Sequence, residues 1–191
     1  MEHTTLLTSS TPTASANNYA AACAGFGAVL RSAWSRNNVA SLEVLVPDLD
    51  DVRDMLADEH GLAVVSTTQR DGRVLSSVVN CGLSTDPVSG APSVALVSRG
   101  DAARLAHIRR GSAVTIVVRR SWEWVGVTGP ARLIGPDDPA DGVDAEALRL
   151  LLRQVYQDAS GAHDDYDEYD RVMAAERRTC VFVQPDRING R

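Results

Sequence analysis

Apolar residues recur along this chain with two periods, and the switches between them mark out its elements. A β-branched run over 62–68 reads as a strand, and the Arg70-Asp71-Gly72-Arg73 that follows carries the Asp-Gly signal of a tight hairpin. The return strand is predicted over 74–83. There Ser76, Ser77 and Asn80 stand polar among Val74, Leu75, Val78, Val79 and Cys81, so one face is free to meet a ligand or solvent rather than core. Further strands are predicted at 93–97, 113–118, 122–129 with a continuation over 131–134, and 179–184. Helical spacing appears elsewhere. Leu49, Val52, Met55 and Leu56 share a face after Pro47 and Asp48, and Leu148, Leu151, Leu152 and Val155 form a stripe within 144–157. The acidic run that begins at Asp164 lacks the glycine and terminal glutamate of a calcium loop and reads as the solvated start of a helix ending near Glu176.

The segment 93–118 organises the rest: a strand, the polar turn Ser98-Arg99-Gly100-Asp101, a helix over 102–110 with Asp101 as N-cap and Gly111 as its left-handed stop, and a second strand. This order sets Arg99 and Arg104 beside a helix start, where free amides and guanidiniums suit a phosphate or carboxylate. The same spacing equally fits solvated surface charges. Trp122, Trp124 and Gly126 fall on one strand face and call for a cover, supplied by the domain's own core, a subunit interface or a planar ligand, in that order. Strands at hairpin spacing with a few helices between them predict a mainly β, α+β architecture: an antiparallel barrel with α decorations. No GxGxxG opens a helix after a strand and no P-loop is present, so a Rossmann nucleotide site is not expected.

Composition narrows the chemistry. The 191 residues suffice for one domain with a real core, and 44% hydrophobic with 23% charged residues is an ordinary globular balance. A net charge of −6 argues against general nucleic-acid binding. All 19 basic residues are arginine, which excludes lysine Schiff-base chemistry and a lysine phosphate loop. Cys23, Cys81 and Cys180 are odd in number and widely spaced, as expected of reduced structural thiols in a cytoplasmic protein rather than of a disulfide framework or metal site. Residues 1–46 are read as a mobile N-terminal extension: the apolar stretch over 19–30 is too short to span a membrane, and the polar start is unlike a secretory signal. The domain proper is expected over 47–191.

Taken in order, these motifs resemble the split β-barrel flavin-binding proteins of the pyridoxamine 5′-phosphate oxidase-like (PPOX) superfamily, particularly its members that use the deazaflavin coenzyme F420. The likeness runs over about 49–190. It rests on Arg70-Asp71-Gly72-Arg73 before a Ser-bearing strand, on the basic turn and Arg109-Arg110 helix end, and on Trp122 to Gly129 followed by Ala131-Arg132-Leu133. It rests as well on Tyr156, on His163 to Tyr169, and on Arg177-Arg178 before the ending Pro185-Asp186-Arg187-Ile188-Asn189-Gly190.

The resemblance implies a Greek-key, FMN-binding-like barrel and a homodimer with the coenzyme at the subunit interface. It places the phosphate against Ser98, Arg99 and Arg104, the ring along Ser76, Ser77, Val78 and Asn80, and Trp122 near the facing subunit. The sequence departs from the family pattern at Val78, at Asn80-Cys81, at Ala102, at His107 and at Gly111-Ser112-Ala113, changes that bear on ring orientation and substrate more than on fold. The activity implied is hydride transfer between reduced F420 and a small conjugated or unsaturated substrate. An FMN-dependent flavin reductase or pyridoxamine 5′-phosphate oxidase, and a non-catalytic flavin- or deazaflavin-binding protein, are the alternatives. The coenzyme carries the chemistry, so no catalytic residue is assigned; His107 reads first as a satisfied helix histidine and second as a proton donor.

Overall fold

The computed structural model describes residues 46–191, so the extension expected over 1–46 lies outside the described residues, apart from Val46. Helix α1 (Leu49–Asp58) begins at a capping box. The Asp48 carboxylate accepts the Asp50 and Asp51 amides at 2.8 and 3.2 Å, and the Asp51 carboxylate accepts the Asp48 amide at 2.8 Å. Val52 and Leu56 are the residues this helix buries, as their spacing requires.

Strands β1 (Leu62–Thr68) and β2 (Val74–Asn80) form the predicted hairpin in full register, Leu62 opposite Asn80 through Thr68 opposite Val74. The return strand then departs from expectation. It stops at Asn80, and after Cys81 the chain enters a different sheet as β3 (Gly82–Thr85). The crossing needs a glycine: a Cβ on Gly82 would lie 2.0 Å from the Asp158 carbonyl oxygen, so only glycine lets the backbone pass under the end of a helix there.

The remaining elements are β4 (Pro92–Ser98), α2 (Ala103–Arg109), β5 (Val114–Arg120), β6 (Glu123–Gly129), β7 (Ala131–Ile134), α3 (Ala145–Asp158), α4 (Tyr166–Ala175), β8 (Thr179–Val183) and β9 (Arg187–Gly190). Helix α2 is shorter than predicted and differently started. Ala102 is its N-cap and has no side-chain acceptor for the helix amides, while the Asp101 carboxylate accepts from the Arg99 guanidinium at 3.0 Å instead. Trp122 falls in the turn before β6 rather than on its face, since Ser121 adopts a left-handed φ of 53° and reverses the chain.

The strands pair antiparallel throughout, in two sheets ordered β2-β1-β5-β6-β9 and β3-β4-β8-β7. The expected antiparallel α+β character holds. A closed barrel does not, because no described strand of one sheet is hydrogen-bonded to a strand of the other. Val65, Ile116, Val118 and Val127 of the first sheet meet Val94, Leu96, Val181 and Val183 of the second, with Leu56 and Leu105 closing the layer. On the second sheet's far side Ala95, Cys180 and Phe182 pack under Leu152, Val155 and Tyr169 of α3 and α4. Strand β8 is thus buried on both faces, which explains its uninterrupted run Thr179-Cys180-Val181-Phe182-Val183. No helix among the described residues is long and apolar enough to cross a membrane.

Candidate functional site

Strand β2 is the open edge of the first sheet, and its peptide groups can be assigned from both ends of the hairpin. The Gln69 amide donates to the Arg73 carbonyl at 2.8 Å and the Cys81 amide to the Gly61 carbonyl at 2.7 Å. With that register, Leu75, Ser77 and Val79 turn their N–H and C=O groups toward β1, whereas Ser76, Val78 and Asn80 turn theirs to the unpaired edge. Side chains alternate as well. Ser77 shares the inner face with the buried Val65 and Thr67, and Ser76, Val78 and Asn80 lie on the outer face, where Val78 is 63% exposed. The four strand residues singled out by sequence therefore offer two surfaces: Ser77 a hydroxyl on the inside, the other three a backbone edge and an outer face.

Helix α2 lies across the inner face and supplies the cation. The Arg104 guanidinium donates to Ser77 Oγ at 2.6 Å, its one side-chain partner among the described residues. No carboxylate compensates it there, and burial pushes its pKa below the ordinary arginine value, with the neighbouring Cys81 acting weakly in the opposite direction. A turn further along, His107 is 7% exposed and its Nδ1 lies 2.9 Å from Thr67 Oγ1, the satisfied helix histidine of the first reading. Arg110 follows at the same spacing, and with Arg70 and His107 it lines a concavity of about 570 Å³ at the hairpin tip. Arg104 and Arg110, the second donating to the Ala106 carbonyl at 2.8 Å, thus form a basic strip along α2 running from Ser77 toward the turn.

Other predicted residues fall away from this strip. Arg99 is exposed and paired with Asp101, and Arg109 is held by two bonds to the Asp138 carboxylate at 2.6 and 2.9 Å. Ser98 closes β4 at 3% exposure, opposite Thr179. Trp122 is 91% exposed. Asn80 donates from Nδ2 to the His60 carbonyl at 3.0 Å, and Ser76 Oγ lies 2.8 Å from Ser66 Oγ. The Cys81 thiol is fully buried and its pKa is pushed up to about 12 by that burial, so it is no nucleophile. Among the described residues no cluster of metal-ligating side chains occurs.

Sequence reasoning did not anticipate a cleft of about 490 Å³ at the end of β2. Three consecutive residues, Val78, Val79 and Asn80, line it, as happens when a cavity meets a strand at its open edge; α3 and α4 supply the opposite wall through Tyr156, Tyr169 and Met173.

No protein-family model matches the chain. In shape it is similar to the conserved protein Rv2991 of Mycobacterium tuberculosis, with a TM-score of 0.54 and 14% identity over 76% of this chain and 84% of that one. A candidate 5-nitroimidazole antibiotic resistance protein from Bacteroides thetaiotaomicron aligns at a TM-score of 0.51 and 14% identity, covering 76% and 85% of the two chains. A pyridoxamine 5′-phosphate oxidase-related, FMN-binding protein from Nostoc punctiforme aligns at a TM-score of 0.49 and 11% identity, over 74% and 81%. At these identities the likeness is one of fold.

Proposed function

We propose that this chain is a PPOX-class, F420-dependent oxidoreductase that transfers a hydride between the reduced deazaflavin and a small conjugated or unsaturated substrate. The observation that carries the reading is Arg104: a guanidinium partly withdrawn from water, without a described carboxylate, beside a strand whose outward peptide groups, at Ser76, Val78 and Asn80, are unpaired. An uncompensated cation of this kind is costly to the free protein and is favoured only where an anion completes it. The residues fit a coenzyme that joins a negative tail to a planar ring edged with hydrogen-bonding groups. Arg104 and Ser77 would hold the anionic part, with Arg110 and Arg70 extending the positive strip, and the outward peptide groups of Ser76, Val78 and Asn80 would orient the ring. F420, when bound, supplies the hydride; the chain's part is to fix the ring and keep water from it.

Self-association belongs to the same proposal. The outer face of the first sheet exposes Leu62, Val64 and Val78 at 49%, 40% and 63% side by side, a patch suited to a second copy packing over the ring edge. Titration with F420 and FMN in parallel tests the reading, followed by oxidation of reduced F420 across a panel of conjugated substrates. F420 binding more tightly than FMN, with turnover, is expected. Tighter FMN binding favours the flavin-dependent alternative, and binding without turnover favours a carrier.

A further inference from the structure

We propose that helix α4 is a hinged flap: Arg149 and Arg153 of α3 clasp its Asp170, and release of that clasp swings the helix off the second sheet and opens the cleft at the end of β2. That the flap thereby controls access to a bound ring rests on the coenzyme reading above; its freedom to move rests on how it is held. Little of α4 is core. Of its ten residues only Tyr169 is buried, and open space borders the helix along two adjoining faces. Tyr169, Val172 and Met173 line the cleft of about 490 Å³, while Asp170, Met173 and Ala174 line a second concavity of about 410 Å³. A close-packed interior resists displacement of its elements, and a helix bordered by space is not confined in that way.

Its fastenings are polar and come from α3. The Asp170 carboxylate accepts from Arg149 Nη1 at 2.7 Å and from Arg153 Nε at 2.8 Å. Arg153 also lies over the Tyr166 ring, 4.8 Å from its centroid, and donates to the Tyr166 carbonyl at 3.1 Å. Gln157 donates to the Tyr166 hydroxyl at 2.7 Å, and the Tyr169 hydroxyl donates to the Leu152 carbonyl at 3.0 Å. All of these bonds gather in the first half of α4. The far end is pinned instead, since the Glu176 carbonyl accepts the Gly100 amide at 3.1 Å. The joints lie just outside the helix: Ser160 and Arg177 are non-glycine residues at left-handed φ values of 65° and 50°. Such conformations persist only while the surroundings impose them, so both positions gain by turning once the clasp is gone. The Tyr166 end is therefore the one that moves, about a pivot at Arg177.

The chain's own thiols read this motion. Cys180 of β8 lies beneath Tyr169, whereas Cys81 packs with the core between the two sheets, and both are fully buried. Flap opening bares Cys180 alone; global unfolding bares both. The full chain carrying Cys23→Ser is treated with N-ethylmaleimide, and each modified thiol is located by peptide mass. We expect Cys180 to react about tenfold faster than Cys81 or more, and Asp170→Asn to speed Cys180 by a further factor of about ten while leaving Cys81 unchanged. Arg149→Met, which leaves Arg153 on Asp170, should act in the same direction by about threefold and decides the matter if Asp170→Asn does not fold. F420 dissociation in stopped flow should quicken about fivefold in the folded variants. Cys180 and Cys81 reacting in step, or Cys180 rates in folded variants equal to the parent's, would overturn the flap. Freed Cys180 with unchanged F420 dissociation would overturn its role as a gate. Absence of F420 binding in the parent would remove the coenzyme reading and leave the thiol rates to decide the hinge.

Discussion

Replacing Arg104 by methionine separates two consequences that a merely structural arginine would not separate. The substitution keeps an unbranched apolar stem and removes the guanidinium. For folding, two effects oppose one another: the cost of holding a half-buried, unpaired charge disappears, and Ser77 Oγ loses its 2.6 Å donor. A lost neutral partner costs about 1 kcal/mol, and the relieved desolvation is of similar size, so urea denaturation should move by no more than about 1 kcal/mol either way. For coenzyme binding nothing opposes the loss. A charge-assisted bond to an anion is worth roughly 1.5–3 kcal/mol, which is a rise of about 10- to 150-fold in the F420 dissociation constant by calorimetry. An unchanged dissociation constant removes Arg104 from the site; a fall of several kcal/mol in stability with binding intact makes it a structural residue.

Three further outcomes follow from particular contacts. Asp86 is fully buried; burial alone raises its pKa, but the bonds from Arg132, Ser89 and the Val88 amide outweigh this and hold the carboxyl below its ordinary value of 3.8. Its stabilisation is present above the unfolded value and is lost as pH falls through the folded one. Asp86→Asn should therefore destabilise at pH 7 by about 1–3 kcal/mol and flatten the acid limb below about pH 4 in denaturation series; an acid limb as steep as the parent's would contradict this. Gly82→Ala sets a methyl against the Asp158 carbonyl and should lower stability by about 2 kcal/mol or more, whereas Gly72→Ala, with open space around it but a φ of +84°, should cost about 1 kcal/mol; equal losses would refute the close-approach argument. Val64→Asp together with Val78→Asp should convert a dimer to a monomer in sedimentation velocity without changing the far-ultraviolet spectrum, since both side chains are on the exposed outer face; an unchanged sedimentation coefficient for a dimeric parent would place the interface elsewhere.

Much of the fold was legible because it is local. The Asp-Gly hairpin, the β1 run and the stripe that buries Leu152 and Val155 on α3 depend on nearest neighbours and periodicity, and each is found where its pattern puts it. What escaped was set by distant backbone. Gly82 is the one local sign beside Cys81 that the strand changes sheets, and what makes it necessary, the Asp158 carbonyl, lies far along the chain. No strand was predicted beyond 179–184; β9 exists because β6 offers an open partner, with Ile188 opposite Val127. Asp101 was a fair N-cap by type and position, and an equally close arginine captured it.

The candidate site divides in the same manner. That Arg104 and the Ser-bearing strand serve one site was implied by the family resemblance alone, and the structure brings Arg104 to Ser77. The period of two along β2 already separates Ser77 from Ser76, Val78 and Asn80, a signal present in the sequence that a single ligand-facing strand overlooks. The cleft was not readable: Tyr156, His163, Tyr169 and Met173 gather from two helices and the loop between them, and only their packing makes them one wall.

The central claim is that a coenzyme lies along the unpaired edge of β2 with its negative part at Arg104, and amide hydrogen exchange reads that edge residue by residue. On saturation with F420, exchange at the amides of Ser76, Val78 and Asn80 should slow by at least tenfold, while Leu75, Ser77 and Val79, already bonded to β1, change little. Exchange at those three outward amides that is the same with and without bound F420 would contradict the account.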